Sequence, residues 1–231
     1  YGLPYLPGSG VKGVLRQAAR ELARGLWGET HGWSEEKAYT LHVGRERFPL
    51  SVIDVFFGME SGGGDTEHVR GALSFWDVIP QIEGDGLMVE VMTPHQSHYY
   101  QQKREAKSGN STTPHDSGSP NPISFLTVPP GSGFAFHVVC DTMHLARLTQ
   151  DRSAGTPDLL ATGTHWRDLI QAAFEHAFEW LGFGAKTAVG YGAMQRDQEA
   201  ESKAEKARAE REATARQQRE AAELEARRAA M

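Results

Sequence analysis

This 231-residue sequence predicts a mixed α+β fold. Two observations support that expectation. Apolar residues recur at helical spacing in one stretch near each end, and short apolar or alternating runs bounded by glycine and proline lie between them. A third feature points to function. Two glycine-rich segments, each carrying one lysine, adjoin the two helical stretches.

Val11, Leu15, Ala18, Ala19, Leu22, Ala23 and Leu26 mark a helix over residues 11–26, ended by the Gly25 and Gly28 region. Arg16 and Arg20 are four apart and share its polar face. Residues 28–49 read as polar and irregular. SVIDVFFG (51–58) is a short apolar segment stopped by glycine, and SGGGD (61–65) is a flexible loop. ALSFWDV (72–78) and GLMVEVM (86–92) read as two strands joined across Pro80 and Gly84, and residues 94–122 as a long loop. ISFLTV (123–128) and GFAFHVVC (133–140) read as a hairpin around PPGS. Trp166, Leu169, Ile170, Ala173, Phe174, Ala177, Phe178 and Leu181 trace the second helix, with Thr164 as its N-cap and Gly182 as its stop. AVGYGAM (188–194) reads as a last strand.

From residue 198 the composition changes to Ala, Glu, Arg, Lys and Gln. This tail holds eight acidic and eight basic residues, so its net charge is zero. Leu224 and Met231 are its only large apolar side chains, too few for a heptad seam. It reads as a solvated helix held by neighbouring charge pairs.

Composition bounds the function. A hydrophobic content of 39% supplies a core, and the single cysteine, Cys140, excludes an intrachain disulfide and fits a reducing cytosol. No apolar run approaches the roughly 18 residues of a membrane span. The net charge of −6 argues against a simple polyanion binder, so any nucleic-acid contact needs a local basic patch. The glycine-rich segments PYLPGSGVKGVLR (4–16) and GFGAKTAVGYGAM (182–194) supply the candidates: Gly8, Ser9, Lys12, Arg16 and Arg20 in the first, and Gly182, Gly184, Lys186, Thr187, Gly190 and Gly192 in the second. Glycine lets backbone N–H groups approach an anion, and the cations add charge. Neither segment is a nucleotide P-loop. Lys12 precedes a glycine instead of following one, and Ala185 occupies the glycine position before Lys186. The alternative reading, glycines that only make tight turns, stays open for each.

Taken together, the two segments resemble the RAMP superfamily of CRISPR proteins, whose C-terminal glycine-rich signature residues 182–194 match. DVFFG (54–58) looks like that superfamily's V-F-G segment, and RGALSFWDV (70–78) like the strand that follows it. VMTPHQSHYY (91–100) and NPISFLTVPPGSGFAFHV (121–138) are similar to the sixth-subunit family of type III-B Cmr effector complexes. The resemblance implies a ferredoxin-like, RRM-related β-α-β-β-α-β core with insertions over residues 1–197, followed by the 198–231 tail. The superfamily's first strand precedes the Pro-Gly-Ser motif and is absent here, so either a preceding segment or a substitute from elsewhere in the chain is expected. The resemblance also implies a cytoplasmic, non-catalytic subunit without a cofactor. Its partners would be CRISPR guide RNA, target RNA and other RAMP subunits.

Other polar residues fit less specific roles. His95, His98, Tyr99 and Tyr100 are candidate RNA or subunit contacts, since aromatic rings stack bases. Drawing His95, His98, His115 and Cys140 as a zinc site fails on irregular spacing. An RNA-processing nuclease of this superfamily would need a histidine acid–base, for which His31 is the candidate. The target-cutting subunits use a loop aspartate after the first helix, where this sequence has GETHGWSEEK (28–37) and only Glu29, Glu35 and Glu36. A cap that contacts only protein is the third reading.

Overall fold

The computed structural model describes residues 2–59, 68–94, 120–156, 158–160 and 165–229, the last seven by backbone only. Helix α1 (Gly8–Ala23) is followed by strands β1 (Tyr39–Val43) and β2 (Glu46–Leu50) and helix α2 (Val52–Phe57). Strands β3 (Leu73–Phe75), β4 (Met88–Met92), β5 (Ile123–Thr127) and β6 (Val138–Cys140) come next. Helix α3 (Thr142–Leu148), the short strand β7 (Asp151–Arg152), and helices α4 (His165–His176) and α5 (Gln198–Ala229) complete the order. The fold is α+β. The chain forms two compact units, residues 1–12 with 72–141 and residues 13–71 with 142–231, and α1 starts in the first and continues in the second.

Helix α1 starts three residues before the apolar periodicity does. The Pro7 carbonyl accepts hydrogen bonds from Gly10 and Val11 at 2.8 and 3.0 Å, which closes the first turn around Gly8, Ser9 and Gly10. The first glycine-rich segment is therefore a helix start and not a loop. Gly8 is required there. A Cβ on it would lie 2.2 Å from the Phe75 carbonyl oxygen.

In the first unit, β3 pairs antiparallel with β6, and β4 with β5. Segments 72–78 and 86–92 form two consecutive strands, as expected, each with another partner. One expectation is corrected: 123–128 and 133–140 do not form a hairpin. The pairing is nested instead: an inner ribbon, β4–β5, lies within the span closed by β3–β6. An isolated bridge between Gln81 and Gly133 joins the two ribbons' approaches, and Leu6 bridges to Val78.

In the second unit, β2, β1 and β7 make a three-stranded antiparallel sheet. The region expected to be irregular contains its hairpin. Tyr39, Leu41, Phe48 and Leu50 are buried and face one side, paired Tyr39–Leu50 and Leu41–Phe48. Pro49 is tolerated because β2 is an edge strand. Helix α2 begins with a capping box. Ser51 Oγ accepts from the Asp54 N–H, and Asp54 Oδ2 accepts from the Ser51 N–H at 2.8 Å. All six α2 residues are buried. The core also takes Leu15, Ala18, Ala19 and Leu22 of α1, Leu145 and Leu148 of α3, and Leu169, Ile170 and Ala173 of α4. Trp33 is 2% exposed, donates its indole N–H to the Leu169 carbonyl at 3.0 Å, and sets its ring against Phe56 and Phe57.

Helix α4 follows the predicted stripe and passes into a π turn, Ala177–Leu181, capped by Gly182 at φ 71°. The expected N-cap, Thr164, lies outside the described residues. The expected last strand at 188–194 is absent. Its place is taken by a 3₁₀ turn, Thr187–Val189, and by backbone folded onto Phe183. Helix α5 is exposed over its described side chains and carries the i,i+4 pairs Arg208–Glu212 and Arg216–Glu220, as its charge pattern predicts.

Candidate nucleic-acid interface

The two glycine-rich segments differ physically. At the first, the helix N-terminus offers backbone N–H groups and a positive dipole end. A protein carboxylate already takes part of it: the Gly8 N–H donates to Asp77 Oδ1 at 2.7 Å. Ser9 is exposed, and Lys12 sits half-buried one full turn into the helix. Arg16 donates from its guanidinium to the Gly58 carbonyl at 3.0 Å, where α2 ends. Arg20 lies in the last turn and is half-buried. The structure thus gives Arg16 a structural contact in the second unit. Lys12 belongs to the first unit.

The second segment is a closed loop. The Phe183 N–H donates to the Gly192 carbonyl at 2.9 Å, and Phe183 is 3% exposed. A Cβ on Gly192, whose φ is 73°, would stand 2.0 Å from the Phe183 carbonyl oxygen. Gly182, Gly184 and Gly190 also have positive φ, at 71°, 102° and 95°. Lys186 is left-handed at φ 63°, and Gly184, Ala185 and Lys186 are exposed at the tip, with Thr187 half-buried behind them. The base is pinned and the tip faces solvent, presenting backbone and one cation together. Such a tip suits an extended anionic chain.

The remaining candidates are dispersed. His31 is exposed at φ 51° in a turn, and Glu29, Glu35 and Glu36 are exposed as well. His95, His98, Tyr99, Tyr100 and His115 lie outside the described residues, and Cys140 sits half-buried in β6.

Three carboxylates that the sequence did not single out are held below their ordinary range: Asp54, Glu21 and Asp158, the last by the Leu160 N–H and Arg152. Burial works to raise Asp54, but hydrogen bonds from Lys37 and Ser51 and the Lys37 charge outweigh it. Burial likewise opposes ionisation of Glu21. Hydrogen bonds from His176 and Gln17, with the nearby charges of His176 and Arg24, reverse the balance. Buried Tyr39 is pushed up to about 12 by desolvation, with Arg152 opposing and Asp158 adding to the rise.

The RAMP superfamily matches residues 1–195. The chain belongs to that superfamily. It is similar to the CRISPR system Cmr subunit Cmr6 of Pyrococcus furiosus, at 26% identity with 84% of this chain and 58% of that protein covered. The chain therefore spans under two thirds of that relative's length. The crystal structure of Pyrococcus furiosus Cmr6 matches at 25% identity over 84% of this chain and 83% of the other, with a TM-score of 0.35.

Proposed function

We propose that this protein is a non-catalytic RNA-binding subunit of a type III-B CRISPR interference complex. The similarity to Cmr6 across 84% of the chain carries this reading, and the exposed tip at Gly184–Lys186 supplies a place for RNA. On it, the subunit holds guide RNA, or the guide–target duplex, by the backbone, while base pairing reads sequence. It caps one end of a filament of RAMP subunits in the cytoplasm, and its core follows the ferredoxin-like pattern of its superfamily. No helix among the described residues is long and apolar enough to cross a membrane.

Affinity purification of the tagged chain from cells carrying a type III-B system tests this. Guide RNA and other RAMP subunits are expected in the eluate. A chain recovered alone and free of RNA overturns the reading. Cleavage of repeat RNA by the pure chain without metal would instead make it a processing nuclease. An assembled complex whose RNA crosslinks to every subunit but this one would make it a protein-contacting cap.

A further inference from the structure

Two tryptophans of the second unit lie side by side at its surface. Trp27 follows α1, and Trp180 lies in the π turn after α4. Their ring centroids are 4.6 Å apart at an interplanar angle of 46°, and the residues are 49% and 55% exposed. Trp27 also meets the buried His176 ring edge-on at 5.4 Å. The other tryptophans of this unit are covered, Trp33 at 2% and Trp166 at 9%. The exposure of Trp180 follows from the π turn. With 3.6 residues per turn, Trp180 continues the stripe of Trp166, Ile170, Ala173 and Ala177 into the core. The wider turn at Ala177–Leu181 rotates it back to the flank. Single π turns of this kind recur at functional positions.

The surroundings favour an anionic, base-bearing chain. Arg20 and Arg24 lie four residues apart at the end of α1 and in the turn after it, and Trp27 follows three residues on. The carboxylates of α1 and α4 have partners: Glu21 bonds His176 at 2.8 Å and Gln17 at 2.9 Å and also feels the Arg24 charge, and Glu175 bonds Arg196 at 3.2 Å and Gln171 at 2.9 Å. Exposed Glu179 is the opposing charge of the turn. Cations beside half-exposed aromatic rings are what single-stranded nucleic acid needs, phosphate on the former and base on the latter.

We propose that Trp27 and Trp180 form a stacking platform for a nucleobase of single-stranded RNA, with Arg20 and Arg24 beside its phosphates. This rests on the RNA-binding reading above and adds a place where a base is held.

The test titrates the full chain with a fluorescently labelled oligouridylate and with an abasic ribose-phosphate oligomer of equal length. Oligouridylate is expected to quench tryptophan emission, and the abasic oligomer to leave it unchanged. Trp27→Leu with Trp180→Leu should weaken oligouridylate binding roughly ten-fold, leave abasic binding unchanged, and keep the salt slope. Equal affinity in wild type and variant removes the platform and leaves the RNA-binding reading standing. No RNA bound by the wild-type chain, alone or in its complex, removes both. Loss of a protein partner with RNA affinity intact would make the pair a protein-docking site and overturn the inference. If the double variant does not fold, 4-thiouridine crosslinking of the unaltered chain decides. Crosslinks on peptides containing Trp27 or Trp180 support the platform, and crosslinks confined elsewhere overturn it.

Discussion

The Gly8 backbone N–H donates to the Asp77 carboxylate at 2.7 Å, so the protein supplies its own anion to the start of α1. A phosphate arriving there would compete with a carboxylate tethered on the segment that follows β3. The same approach leaves no space for a side chain at Gly8. Gly8 therefore serves the junction of helix and strand, and the anion-binding role expected of it meets an occupied end.

Gly8→Ala is expected to destabilise the protein by about 1–3 kcal/mol, because its Cβ would meet the Phe75 carbonyl oxygen. Asp77→Asn should have a smaller effect in the same direction, since a neutral acceptor replaces a charged one. Urea midpoints of the two variants check this order. A Gly8→Ala midpoint at or above wild type would contradict the close contact.

Asp54 predicts an acid-side loss of stability. Its folded-state carboxyl lies below the ordinary range, so the unfolded chain takes up the proton first as pH falls. The contribution is complete above the unfolded value of about 3.9 and is lost as pH falls through the folded value. Asp54→Ala removes the capping box and the Lys37 partner, with an expected loss of about 2 kcal/mol at neutral pH. The difference between wild type and variant should shrink below about pH 4. A constant difference from neutral pH to strong acid would place the stabilisation elsewhere.

How much of this was legible in the sequence depended on whether the signal was local. The stripe from Trp166 to Ala177 is a local period and is legible in the sequence. The alternation of Tyr39 with Leu41 and of Phe48 with Leu50 was present too, but charged neighbours and Pro49 disguised it. Nested pairing of β3–β6 around β4–β5 has no local signature, because each pair is closed across a long stretch of intervening sequence. Arg16 looked like a phosphate ligand from its helical spacing alone. Its contact with Gly58 depends on a residue 42 positions away. The exposure of Trp180 has no signal in the sequence, because the π turn changes the helical period at Ala177–Leu181.

His31 bears on the non-catalytic assignment. It is solvent-exposed, and the backbone around it folds as a turn. In an assembled complex, His31→Ala should leave both guide maturation and target cutting at wild-type rates. Loss of either, with the complex intact by size exclusion, would make His31 an acid–base residue and the chain an enzyme.

The C-terminal loop allows a structural glycine, Gly192, and a candidate RNA-binding lysine, Lys186, to be tested separately. Gly192 is structural: its φ of 73° and the Phe183 carbonyl oxygen 2.0 Å from its would-be Cβ both exclude a side chain. Gly192→Ala should lower stability by about 1–3 kcal/mol and weaken RNA binding only through that loss. Lys186 is a different case. Its left-handed backbone is one that asparagine adopts readily, so Lys186→Asn removes the charge with little strain. The melting temperature should stay near wild type. RNA affinity should fall at low salt, and the slope of log affinity against log salt should flatten by just under about one unit, as for one lost phosphate contact. At high salt the two proteins should converge, because screening removes the lysine's contribution in both. An unchanged slope with unchanged stability would mean that Lys186 does not face RNA. The loop's glycines would then be explained by its closure on Phe183 alone.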